Sequence, residues 1–138
     1  MKQITINGKV YDIDCNALTY VKYKSIFKTG ILVDMQFIQN YLIKQALISQ
    51  ELEKNGEDLE ELSKYMSNDV DEFIIKITQI AWILIYTADK KIPEYEEWLK
   101  SIERINTSDE WISEVTEFAV DCFRWWRISS RIRQVKKW

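Results

Sequence analysis

The chain has 138 residues, of which 46% are hydrophobic and 30% charged, a composition that is typical of one globular domain and excludes a disordered chain. It has no histidine, and its two cysteines, Cys15 and Cys122, are far apart, which disfavours the usual catalytic dyads and zinc sites. We therefore expect a protein that is not an enzyme, with no catalytic residues, no metal and no cofactor. The net charge of −3 is uneven: residues 124–138 contribute +6, which leaves −9 for residues 1–123.

No segment has the length or apolar character of a membrane span or a signal peptide. The longest apolar run, Ile80 to Tyr86, is far shorter than the roughly 20 residues that a bilayer requires. The first residues lack an apolar stretch, which predicts a cytoplasmic protein without a membrane partner. In that compartment Cys15 and Cys122 would stay reduced, and we expect core residues in preference to a bridge.

The first 13 residues predict a β-hairpin. Ile4 and Ile6 alternate with polar residues, and Asn7-Gly8 is the preferred pair for a two-residue turn. Val10, Tyr11 and Ile13 continue the pattern in the second strand.

Two helices are predicted next. Asn16 is a candidate N-cap of the first helix, and Gly30 is placed just past its end. The residues assigned to its inward face are Leu18, Val21 and Ile26. Asp34 is predicted to cap the second helix, which is interrupted near Gly56 and followed by a short charged helix over 57–66. The residues that share the inward face of the second helix are Ile38, Tyr41 and Leu42.

The clearest periodicity follows Ser67-Asn68-Asp69. Apolar residues recur at intervals of three and four from Val70 to Ala88, and Ile75, Ile80, Trp82, Ile83 and Ile85 form a second apolar face. A helix that is apolar nearly all round is buried on several sides. Residues 70–88 are therefore predicted to be the central helix of the domain.

Two further helices complete the prediction. Pro93 suits the first position of a short helix ending at Leu99, and the segment Thr107–Glu110 reads as a capping box for the last helix. The apolar residues of that last helix are Trp111, Val115, Phe118 and Cys122. The fold is thus predicted to be mainly α, with a small N-terminal β-hairpin packed on a helical domain of about five to six helices. Residues 1–123 form its body, and residues 124–138 form a basic, Trp-rich helical tail.

The tail provides most of the candidate partner-binding residues. The residues assigned to partner binding are Trp98, Trp125, Trp126, Ile128 and Ile132. Aromatic side chains among arginines are suited to bind nucleic acid, a membrane surface or a partner helix. The same residues are equally consistent with a terminal helix that packs on the acidic body. The sequence pI near 5.1 disfavours nucleic acid.

Three segments together resemble a known family. They are NAL at 16–18 after the hairpin, YKSIFKTGILVD at 23–34 and AWILIYTADKKIPEYEEWL at 81–99. In this order they resemble the signature of tail assembly chaperones from siphophages and prophages of Gram-positive bacteria. The resemblance covers about residues 1–123.

The resemblance implies a non-catalytic partner-binding role. Such chaperones coat the helical, apolar tape measure protein in the host cytoplasm until the tail tube forms, and are absent from the mature virion. The resemblance also implies a longer form, made by a ribosomal frameshift near Lys136-Lys137, that brings in the major tail tube protein. Apolar surface meant for the tape measure protein is also compatible with a homo-oligomer.

Two other functions remain open from the residues. One is a small phage or host regulatory protein that binds nucleic acid through the tail, and the other is a membrane-surface adaptor. Binding to nucleic acid weakens steeply with salt, whereas apolar binding to a protein does not.

Overall fold

The computed structural model describes the backbone of residues 1–55 and 59–136 and the side chains of residues 1–50 and 69–123. Its elements are β1 (Lys2–Ile6), β2 (Lys9–Ile13), α1 (Ala17–Phe27), α2 (Ile31–Asn55), α3 (Leu59–Ala88), α4 (Tyr95–Ser101) and α5 (Glu110–Lys136). The mainly helical fold with an N-terminal hairpin is therefore confirmed.

The hairpin forms as the sequence predicts. β1 and β2 pair antiparallel with Ile4 opposite Tyr11, and the turn residues Asn7 and Gly8 have φ values of 51° and 83°. Positive φ at both positions is what a type I′ turn requires, and Asn and Gly tolerate it best. The isoleucines of one face of the hairpin lie buried against α3 and α5.

The start of α1 is predicted correctly and its end is not. The Asn16 side chain accepts a hydrogen bond from the Leu18 amide (2.9 Å), and the Asn16 amide donates to the Thr19 hydroxyl (3.0 Å). At the other end Lys28, not Gly30, adopts the left-handed conformation, with φ 65°. Lys28 donates its amide to the Lys24 carbonyl, and this bond closes the helix.

The predicted inward face of α1 is wrong. Leu18, Val21 and Ile26 are exposed, Val21 with 64% of its surface, whereas Thr19 and Tyr23 are buried. Tertiary hydrogen bonds select this face, because the Thr19 hydroxyl lies 2.9 Å from that of Thr87 on α3. Such bonds satisfy polar groups that burial would otherwise leave unpaired.

The second and third helices differ from the prediction at their starts. α2 begins at Ile31, so Asp34 lies inside its first turn, and the Asp34 amide donates to the Gly30 carbonyl (3.1 Å). Ile38, Tyr41 and Leu42 do face inward. α3 begins at Leu59 and continues through 67–69, so the described part of the predicted charged helix, 59–66, belongs to α3. The predicted break at Gly56 lies outside the described residues.

The C-terminal part of α3 is the centre of the fold, as predicted. It contacts β2 and every other helix. The buried apolar residues of this helix are Phe73, Ile77, Ile80, Ala81, Trp82, Ile83, Leu84 and Ile85. Ile75 is 46% exposed, so the second apolar face is not buried at every position.

The last two helices begin slightly later than predicted. Pro93 precedes α4, and its carbonyl accepts a 2.9 Å hydrogen bond from the Trp82 indole. The capping interaction before α5 involves Asn106 and Asp109, and not Thr107 and Glu110 as predicted. The Asn106 amide donates a hydrogen bond to the Asp109 carboxylate (2.9 Å). The α5 backbone continues without a break to Lys136, in agreement with a helical tail.

The cysteine prediction is wrong in one respect. Cys15 and Cys122 are half-buried beside the core, as expected, but they form a disulfide, with Cα atoms 6.7 Å apart. Cys15 follows β2, and Cys122 lies on α5, so packing of the hairpin against α5 brings these distant residues together. Sequence separation alone gives no sign of this proximity.

Candidate partner-binding groove

An open groove lies between α2 and α5, with a volume of about 760 Å³. The α2 wall consists of Leu32, Val33, Met35, Gln36, Gln39, Asn40 and Ile43. The α5 wall includes Val120, Asp121 and Phe123. The volume lies within the usual range of ligand-binding clefts.

The groove is apolar at its base and carries amides at its edge. Met35 and Phe123 are buried, whereas Val33 and Ile43 are exposed, Ile43 with 57% of its surface. Four residues beyond Ile43 along α2, Leu47 is also exposed and extends the apolar stripe. Among the described lining residues Asp121 carries the single charge.

Contacts behind the groove hold the α5 wall in place. The ring of Phe123 lies 5.2 Å from the ring of Tyr20 on α1. The neighbouring Cys122 is joined to Cys15 at the end of the hairpin. The wall is therefore attached to α1 and to the residue that follows the hairpin, in addition to its contacts with α2.

Among the predicted partner-binding residues, Trp98 has a described side chain, and it does not line this groove. Trp98 is only 1% exposed and packs edge-on against Tyr11, with 6.3 Å between ring centroids, so its side chain is not accessible to a partner. Trp98 therefore anchors α4 to the hairpin, although the acidic residues beside it, Glu94, Glu96 and Glu97, are exposed. The backbone of α5 passes through the other predicted residues, whose side chains lie outside the described set. These residues are Trp125, Trp126, Ile128 and Ile132.

A second candidate site is a buried polar cluster where α1, α2 and α3 meet. Asp34 Oδ2 accepts hydrogen bonds from the hydroxyls of Tyr23 (2.6 Å) and Thr29 (2.7 Å). Asp34 Oδ1 accepts from Lys76 Nζ (2.8 Å), and Gln79 lies within 3.2 Å of the Tyr23 hydroxyl. Asp34 is 1% exposed, so its carboxylate is not accessible to a substrate, and its hydrogen bonds instead connect the helices.

The cluster shifts the ionisation of its members. Burial raises the pKa of Asp34, but hydrogen bonds from Lys76, Tyr23 and Thr29 and the Lys76 charge outweigh it, so the pKa lies below its ordinary value. Burial lowers the pKa of Lys76, but Asp34 and then Glu72 outweigh it, so that pKa lies above its ordinary value. Burial and then Asp34 raise the pKa of Tyr23.

The lowered pKa of Asp34 predicts a loss of stability in acid. A carboxyl group whose pKa is lower in the folded state stabilises the fold above its ordinary value of 3.8 and loses this contribution as the pH falls through the folded pKa. Urea unfolding measured from neutral to acidic pH should show this loss. The Asp34→Asn variant should show a flatter acid dependence, and an equally steep one would contradict the prediction.

Sequence reasoning missed the groove because its walls come from helices that are distant in the chain. The available signal was that Val33, Ile43 and Leu47 are apolar but lie off the inward face of α2, which Ile38 and Tyr41 define. Their positions indicate an apolar stripe on α2 outside its inward face, but they do not indicate which helix lies opposite that stripe.

Other classes of site were sought in the described part of the chain. There, no cluster of three or more acidic, cysteine or histidine side chains is placed to hold a metal ion. None of the helices described has the length and hydropathy needed to cross a bilayer. Comparison with models of protein families, with curated proteins and with solved structures found no match.

Proposed function

We propose that the protein is a phage tail assembly chaperone that binds the tape measure protein without catalysis. The groove between α2 and α5 is the observation that carries this proposal. It offers an apolar base with an amide edge, which is the chemistry that an amphipathic helix requires on binding. A tape measure helix would place its apolar stripe against Met35, Phe123 and Ile43.

The positions of the resembling residues also support the proposal. Tyr23 and Asp34 are hydrogen-bonded, Trp82 donates to the Pro93 carbonyl, and Trp98 is buried. The segments 23–34 and 81–99 therefore hold the core together. A resemblance in these segments concerns the fold. Apart from Leu32 and Val33, the groove residues lie outside these segments and are free to match a particular client.

Replacing Ile43 by Asp should weaken binding of the tape measure protein at least about tenfold, since the apolar contact is lost and a charge must be desolvated. Co-expression should then leave most of the tape measure protein insoluble, whereas the parent chain keeps it soluble. Ile43 is half-exposed, so the thermal unfolding midpoint of the variant should change little.

The matched control is Ile75→Asp, because Ile75 is also a half-exposed isoleucine on a helix and does not line the groove. It should protect the tape measure protein as well as the parent does. Equal protection by both variants would remove the groove from the proposal, and no protection by the parent chain would remove the chaperone function itself.

Salt separates the chaperone from the regulatory alternative. The complex with the tape measure protein should persist in moderate salt, because apolar contacts are not screened. Binding of DNA or RNA by the purified chain, lost steeply with added salt, would favour the nucleic-acid alternative instead.

A further inference from the structure

Charged residues recur at intervals of seven along α5. They are Glu110, Glu117, Arg124 and Arg131, and the α5 backbone is one continuous helix across all of them. Seven residues make about two turns, so these positions follow a single line along the helix, which we name the heptad line. Its first half is acidic and its second half is basic.

The heptad line lies on the solvent side of α5. Glu110 and Glu117 are exposed, and by helical spacing they are opposite the buried Ala119. Arg124 and Arg131 are assigned to the same side by their positions on the helix backbone, since their side chains lie outside the described set. Both halves therefore face the same side of the molecule.

The charges of the heptad line cannot pair with one another within one chain. Neighbouring positions on the line are about 10 Å apart along the helix axis, whereas ion pairs on a helix form between residues three or four apart. Among the side chains that the structure describes, both ion pairs involve Lys76, so neither Glu110 nor Glu117 has a cationic partner there. The acidic half is thus accessible to the cations of a second molecule.

The heptad line is complementary to itself in one orientation. When two copies of α5 run antiparallel about a two-fold axis, Glu110 of each copy lies opposite Arg131 of the other, and Glu117 lies opposite Arg124. A parallel pair would instead place like charges opposite each other at every position of the line, and repulsion disfavours it. The charge order therefore selects both the partner and its direction.

We propose that a second copy of this chain docks along α5 and forms an antiparallel two-fold dimer. In the sequence Trp125, Ile128 and Ile132 run beside the basic half of the heptad line at intervals of three and four, and the contact covers these positions. Exposed ion pairs contribute little individually, so the dimer is expected to be weak, in the micromolar to millimolar range, and sensitive to salt. This inference does not depend on the chaperone function.

The first test is sedimentation of the purified chain from micromolar to millimolar concentration. A rise to twice the mass of one chain, with no larger species, is expected at low salt, because a two-fold contact closes on itself. Raising the salt to a Debye length of about 3 Å should weaken the dimer at least about tenfold. A chain that stays monomeric at every concentration overturns the proposal.

A matched pair of charge exchanges tests the register. Glu117→Arg/Arg124→Glu keeps opposite charges at every pair of the antiparallel contact, so it should dimerise as the parent does. Glu110→Arg/Arg124→Glu has the same net charge but places like charges at every pair, so it should dimerise at least about tenfold more weakly. Equal self-association by the two variants overturns the proposed contact.

A mixing experiment provides an independent test. Glu110→Arg/Glu117→Arg makes the whole heptad line basic, and Arg124→Glu/Arg131→Glu makes it acidic, so each variant alone should be monomeric. Mixed in equal amounts, the two should form a heterodimer, because every pair regains opposite charges. Failure of the mixture to associate overturns the assignment of the heptad line.

A groove variant separates this contact from the groove between α2 and α5. Ile43→Asp leaves the heptad line unchanged and should dimerise as the parent does. Loss of the dimer in Ile43→Asp but not in Glu110→Arg/Arg124→Glu would place self-association in the groove. That result would overturn this proposal without affecting the proposed function.

Discussion

Replacing Asp34 by Ala is expected to lower the free energy of unfolding by about 3–5 kcal/mol, which is typical when one partner of a buried ion pair is removed. The change leaves the Lys76 ammonium without the carboxylate that lies 2.8 Å from it, and removes the acceptor of the Tyr23 and Thr29 hydroxyls. Since these residues belong to three helices and a loop, the packing of α1 on α2 and α3 is affected directly. Urea denaturation at neutral pH measures the effect.

The control for Asp34 is Glu72, whose carboxylate lies 3.3 Å from the same Lys76 Nζ but is half-exposed. Glu72→Ala should cost less than about 1 kcal/mol, because the lost pair is exposed to water and Lys76 keeps its partner Asp34. If both variants are equally stable, burial of Asp34 does not have the importance that we assign to it.

Replacing Trp98 by Ala is expected to destabilise the protein by about 3–5 kcal/mol, the usual cost of truncating a buried aromatic residue. Trp98 is 1% exposed and contacts Tyr11, so it anchors α4 against the hairpin. A residue that served a partner from the surface would instead tolerate Ala with little loss of stability. Thermal and urea unfolding of the variant therefore distinguish the two roles.

The Trp98→Phe variant refines this comparison. The Trp98 indole nitrogen is buried and has no hydrogen-bond partner among the described residues. Replacement by Phe therefore removes a polar group whose desolvation is not compensated by a hydrogen bond. Phe keeps most of the ring, and we expect a cost below about 1.5 kcal/mol. A loss as large as that of the Ala variant would mean that the indole nitrogen has a role that its surroundings do not reveal.

Local patterns in the sequence were sufficient for the hairpin and for the central helix. Asn7-Gly8 specifies a turn through its own backbone preferences, and the spacing from Val70 to Ala88 specifies a buried helix through its own periodicity. Neither feature depends on a partner elsewhere in the chain, which is why both are confirmed.

Features decided by distant contacts were not predictable in the same way. On α1 the apolar residues Leu18 and Val21 face solvent, because Thr19 and Tyr23 find hydrogen-bond partners on α3 and α2. The weak amphipathicity of α1 left its inward face undetermined. The groove and the disulfide likewise depend on which helices meet, and a single sequence does not encode that in any local pattern.

The disulfide has a mechanical consequence. With Cys15 joined to Cys122, residues 15–122 form a covalent ring, and the hairpin and the end of α5 leave it as two arms. Tension between the termini then runs from the hairpin through the two sulfur atoms into α5, and bypasses α1 to α4. Asp121 and Phe123 lie on either side of Cys122, so a pull on the end of α5 that reaches the disulfide is borne at the groove wall.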